Sequence, residues 1–172
     1  YQSTTSNSSL CLFNFSNSFI NEKPFLSSMI TRGADSYFKC FQLPDGSVLN
    51  SLFYDISGAE RFNAFNKQFY GKADAIILVY DISNRRSFEA IQDYYYEEIK
   101  DLCKKDIPVI LLGNHSDREE KRQVGQEEGM KLALSFNYKF METSCLKNEN
   151  VNEAFATLIE LWYCEYQKKQ SF

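Results

Sequence analysis

Four stretches of the chain are rich in apolar or β-branched residues, and three others read as helices, the last of them repeating its apolar positions every three or four residues. Residues 48–54 form the first candidate strand, which leads into Asp55, and Asp45-Gly46 just before it is a hairpin turn signal. Residues 75–80 and 108–113 are aliphatic runs of the kind parallel strands need when both faces are covered. Residues 139–143 are a shorter strand of the same kind. Helical patterns fill the intervals at 87–103, 126–136 and 151–166. In the last of these, Val151, Ala154, Phe155, Leu158 and Trp162 fall on one face. Strand and helix alternating at this rhythm predict a doubly wound α/β sheet with one hairpin. Ligands of such sheets bind at the carboxyl ends of the strands, so the residues that follow each strand are the place to look for chemistry.

Composition narrows the classes. The chain has 172 residues, 44% of them hydrophobic, which suits a single globular domain over 1–172. Nineteen Lys and Arg against 23 Asp and Glu give a net charge of −4, so no overall positive field exists to hold a nucleic-acid backbone. Five scattered cysteines with one histidine and no C-x-x-C pair argue against a zinc or disulfide framework. No apolar run approaches the roughly 18 residues that span a bilayer, and the Ser/Thr/Asn-rich start lacks the layout of a secretory signal. A cytoplasmic protein is expected. Lys168, Lys169 and Cys164 do not form a prenylation signal, so a membrane-peripheral location requires a lipidated tail beyond this sequence.

Three post-strand segments carry candidate chemistry. Asp55-Ile56-Ser57-Gly58 places a carboxylate that can hold Mg2+ through water, then a glycine whose N–H can approach a terminal phosphate. Asn114-His115-Ser116-Asp117 offers in Asp117 a carboxylate able to accept two hydrogen bonds from guanine, a pair of donors that adenine does not present. Ser144-Cys145-Leu146-Lys147 follows the last strand.

With these motifs in order, residues 45–162 resemble a Ras-superfamily small GTPase of the Rab branch. Residues 55–62, D-I-S-G-A-E-R-F, resemble D-T-A-G-Q-E-R-F. Residues 73–81 resemble A-D-x-I-I-L-V-Y-D, residues 114–117 resemble N-K-x-D, and residues 142–146 resemble E-T-S-A-K. The resemblance implies a P-loop NTPase type of sheet, mainly parallel with one antiparallel strand, and about five helices on both faces. It implies GTP or GDP with Mg2+ as ligands. Asn114, His115, Asp117, Ser144, Cys145 and Leu146 then stand at the base, where the backbone N–H of Cys145 would meet the guanine carbonyl and the His115 ring would either stack on the purine or face solvent. Gly58 stands at the phosphate, and Ser8, Thr31 and Asp55 at the metal.

The pattern is broken on the phosphate side. Aligning the phosphate loop G-x-x-x-x-G-K-[ST] on Ser8 puts Tyr1 and Ser6 at its glycines and Asn7 at its lysine, so one defining position survives. A Cβ at either glycine obstructs close phosphate approach, and Asn7 brings no charge. This alignment leaves the first strand absent or upstream of Tyr1. Ala59 replaces the glutamine that orients the attacking water. Hydrolysis is therefore expected to be impaired through Ser6, Asn7 and Ala59, and nucleotide binding to be weak or absent. The leading expectation is a degenerate Rab-like protein that serves as an interaction or structural subunit, alone or inside a larger assembly; the alternative is a working GTP switch in membrane trafficking with slow hydrolysis. Tyr37 or Phe38, Tyr54 and Phe69 fall near the aromatic triad that Rab proteins present to partners, with core packing the competing reading, at least as strong for Tyr54. Tyr94-Tyr95-Tyr96 cannot all face a core, so at least one is expected at the surface. Residues 119–122, E-E-K-R, read as a solvated loop face.

Overall fold

The computed structural model describes residues 5–12, as backbone, together with 34–56, 63–104 and 107–170. Six strands form one sheet in the order β2-β3-β1-β4-β5-β6. They are β1 (Thr5–Leu12), β2 (Ala34–Gln42), β3 (Val48–Ile56), β4 (Ala75–Asp81), β5 (Val109–Asn114) and β6 (Lys139–Thr143). Only the β2–β3 pair is antiparallel; β1 pairs in parallel with β3 and β4, and β4–β5 and β5–β6 are also parallel. The helices are α1 (Asn63–Tyr70), α2 (Arg85–Ala90), α3 (Tyr96–Leu102), α4 (Gln126–Ser135) and α5 (Val151–Gln170). The expected architecture, a mainly parallel sheet with one antiparallel strand and helices on both faces, is the one observed.

The hairpin is built as its sequence suggests. Gly46 takes a left-handed φ of 81°, which a residue without Cβ adopts freely, and its N–H donates to Leu43 C=O at 2.9 Å. The Asp45 carboxylate accepts from the Ser47 N–H at 2.9 Å and the Ser47 hydroxyl at 2.6 Å, and these bonds hold it below the usual carboxylate range. Strand alternation then sorts the core. Ile76, Leu78 and Tyr80 join Leu111, Phe88, Ile91 and Ile99 on one side. Ala75, Ile77, Ile110 and Leu112 join Val151, Ala154, Phe155 and Leu158 of α5 on the other. Helix α4 comes so close to the sheet that a Cβ on Gly129 would collide with the Tyr80 hydroxyl and lie 2.7 Å from the Phe140 ring. Burial raises the Tyr80 phenol well above its ordinary range.

Three expectations need correction. The central position beside β3 and β4 is occupied by Thr5–Leu12, so a first strand is present within this sequence. Backbone N–H and C=O groups of two neighbouring strands need partners, and an eight-residue pairing with β3 supplies them even though residues 5–9 are polar. Ser6, Asn7 and Ser8 consequently lie inside a strand and not in a loop after it. Second, the helix expected over 87–103 begins at Arg85, capped by Asn84, whose side chain accepts from Arg86 N–H, and it passes through a five-residue π segment (Ile91–Tyr95) between α2 and α3. The wider π turn redistributes the three tyrosines, and each is half-buried instead of one being fully exposed. Tyr95 packs on the core, Tyr94 bonds Glu98, and Tyr96 stacks on Phe136 with centroids 3.7 Å apart. Third, Arg122 is not part of a solvated face, as its contacts below show.

Candidate functional site

The carboxyl ends of β5 and β6 carry two loops sewn to each other by side chains. Asn114, the last residue of β5, is buried, and its Oδ1 accepts from the Thr143 hydroxyl at 3.3 Å and the Cys145 N–H at 3.2 Å. Beyond it His115 adopts φ 68° and ψ 37°, a left-handed conformation unusual for a residue with a Cβ, and this turn launches the short 3-10 helix Ser116–Lys121. Asp117 lies in that helix, where its Oδ1 accepts from the Ser144 hydroxyl at 2.5 Å. The Ser144 hydroxyl oxygen accepts in turn from Lys147 N–H at 3.1 Å. A backbone pair between Ser144 and Glu149 closes the second loop, and Asn148 and Asn150 supply its left-handed turns at φ 56° and 57°.

Arg122 braces this arrangement from behind. Its guanidinium forks onto both oxygens of Glu119 and both oxygens of Glu142, and it donates to Val124 C=O at 3.0 Å. Bidentate carboxylate pairing in a fixed plane is the strongest charge-assisted geometry a side chain offers. The bond from Arg122 holds Glu119 below its ordinary range, and a matching pair from Arg85 does the same for Glu128. Glu119 stands three residues before Arg122, which a helical turn could have suggested; the twenty-residue reach to Glu142 has no local signal.

The chain matches the profile of the Ras family over residues 4–163. It is 37% identical over 149 residues to Ras-related protein Rab-15 of Homo sapiens, covering 86% of this chain and 69% of that protein. It is 40% identical over 147 residues to Ras-related protein Rab-8A of Gallus gallus, covering 86% and 68%. The chain is a Rab-like member of the Ras family of small GTPases.

On the base side of this Rab-like domain, the structure brings Asn114, Asp117, Ser144 and Cys145 together. Cys145 is buried and its N–H already donates to Asn114, so a ligand carbonyl would have to share that donor. Leu146 stands 47% exposed on the rim of the loop. His115 is half-buried beside Asp81. Its Nε2 is 3.9 Å from Asp81 Oδ2, an oxygen that also meets the Arg118 guanidinium at 3.4 Å, and its Nδ1 is buried without a hydrogen-bond partner.

The phosphate side is assembled differently. Asp55 is buried near the end of β3, level with Leu12 of β1. Ser8 pairs with Ser51, four residues back along the same register, which at about 3.3 Å per residue separates the two positions by roughly 13 Å along the strands. Ser8 and Asp55 therefore cannot share one Mg2+, a correction that follows from placing Ser8 within the strand. Asn7 pairs with Asn50, one position further from that end. Thr31, Gly58 and Ala59 lie outside the described residues. Among the described residues no group of three His, Cys, Asp or Glu side chains is placed to hold a metal, and no helix is long and apolar enough to cross a membrane.

The aromatic positions resolve into two faces. In the β2–β3 register Phe38 stands opposite Leu52 and Ser36 opposite Tyr54, which puts Phe38 and Tyr54 on one face. Tyr54 meets Phe69 of α1 at 4.8 Å, and Phe69 meets Phe65 at 5.5 Å. Phe38 is 64% exposed and Phe65 47%. Tyr37 points the other way and packs against the core under α5. Phe65 is the member of this cluster that sequence reading missed; its spacing of four from Phe69 was the available signal.

Proposed function

We propose that this Rab-like domain acts mainly as a protein-interaction subunit, with weak or no GTP hydrolysis. The observation that carries the reading is that residues 1–32 contain no glycine. The family's phosphate loop depends on glycines that let backbone N–H groups close on the phosphates, so no shift of alignment within these residues restores it. The residues fit the base half of a guanine nucleotide: Asp117 could receive the ring N–H and amine, with Asn114 and the Cys145 N–H around the carbonyl. They do not fit the triphosphate with Mg2+, and no hydrolytic step is derived for them. Ala59 supports the same reading, since a methyl group cannot orient water. Phe38, Tyr54, Phe65 and Phe69 would supply the surface for a protein partner.

Nucleotide extraction from the purified full-length protein tests this. An empty, folded protein is the expected result. Guanine nucleotide at about one per chain would overturn it and favour the second reading, a working switch with slow turnover. That alternative draws support from the two sewn loops, whose Asn114 and Asp117 geometry suits a base.

A further inference from the structure

A buried acidic group sits where α1 docks against α3. Glu98 is 9% exposed, although it stands on a helix face that otherwise enters the core through Ile99 and Ile91. One carboxylate oxygen accepts from the Tyr94 hydroxyl at 2.6 Å and meets Lys67 Nζ of α1 at 3.3 Å. The second oxygen is buried with no hydrogen-bond partner among the described residues. Tyr94 lies in the π segment one turn earlier, so the widened turn delivers its hydroxyl to the carboxylate. Burial and the bond to Glu98 both raise the Tyr94 phenol above its ordinary range.

We propose that Glu98 and Lys67 form a releasable clamp that sets whether α1 stays docked. A half-satisfied buried carboxylate makes the docked arrangement less stable than an apolar contact of the same shape. Lys67 supplies the neutralising charge, and its side chain is 53% exposed, so a partner can draw it away from outside. Helix α1 carries Phe65 and Phe69, and the contact of Phe69 with Tyr54 exists only while α1 is docked. The clamp thus governs the aromatic face, and this extension rests on that face being the partner surface. Glu98 acts here as a positioning residue.

The test is amide hydrogen exchange of the whole chain, which needs no partner and so fails or succeeds independently of the surface reading. K67M leaves the carboxylate unpaired and should speed exchange of residues 63–70 by about tenfold, while β4 and β5 amides are unchanged. Adding E98Q to K67M should return the rate to near wild type, because the amide still accepts from Tyr94 and no charge is stranded. E98L alone should slow exchange of α1 below wild type. Unchanged exchange in K67M, no rescue by E98Q, or faster α1 exchange in a folded E98L would each overturn the clamp.

Discussion

The two ends of the strand edge where a Ras-family ligand would lie are built differently. At β5 and β6, Asn114, Asp117, Thr143 and Ser144 are tied to each other and Arg122 holds the frame behind them. At β1 and β3, Ser8 and Asp55 are four residues out of step and residues 1–32 contain no glycine. The difference lies in what each half asks of the sequence. Base recognition uses side chains that also have a structural task, since Asn114 closes the join between two loops whether or not a ligand is present. Phosphate recognition of this kind uses bare backbone, and a Cβ there obstructs close approach. Asn114 and Ser144 are residues the fold itself employs, so their presence is not by itself a sign of nucleotide binding.

That contrast can be broken by experiment. Removing the brace should have the largest effect: R122M strands Glu142, which is 11% exposed in its side chain, and should lower unfolding stability in urea by about 3 kcal/mol. A loss below about 0.5 kcal/mol would mean that the base-side loops do not depend on their frame. On the other half, Y37A should cost about 2 kcal/mol by opening the core under α5, whereas F38A should change stability by less than about 0.5 kcal/mol and abolish capture of a protein partner. Equal losses from both would dissolve the distinction between core and surface faces. D117A should reduce any residual binding of guanosine, followed by calorimetry at high protein concentration, by about tenfold, and A59Q should leave GTP turnover unchanged. Turnover restored by A59Q would show that the phosphate half is competent after all.

The smallest effect concerns acid. Glu119 and Glu128 have folded values below the ordinary 4.5, so the unfolded chain binds more protons near that pH and stability rises with pH there. Their contribution is fully present above about 4.5 and is lost as pH falls through the lowered folded values. Melting temperature measured between pH 3 and 6 should therefore fall toward acid, and the slope should be shallower in R122M, which frees Glu119.

Much of the fold was legible from local pattern. The aliphatic runs of β4 and β5, the Asp45-Gly46 turn and the buried face of α5 all appear where their periodicity puts them, because a strand or helix that buries one face repeats at its own period. Helix α4 was less legible: its apolar Met130 and Leu134 stand 53% and 76% exposed, since Gly129 and Ala133 face the sheet to allow close approach. In the candidate site, the sequence identified Asn114, Asp117, Ser144 and Cys145 through their order after successive strands. It did not show that Asn114 and Asp117 already bond Cys145 and Ser144, nor that His115 leans on Asp81.

The family, the alternation of elements and the positions of the post-strand loops can be read from the chain alone, because each is written in neighbours along it. Only the tertiary structure decided that Thr5–Leu12 fills the centre of the sheet, that Phe38 and not Tyr37 joins Tyr54 and Phe69, and that Glu98 meets Lys67. Those outcomes depend on register between distant segments. A one-residue shift reverses every side chain on a strand, and register is settled by which pairing leaves the fewest buried polar groups without partners and the most apolar surface covered.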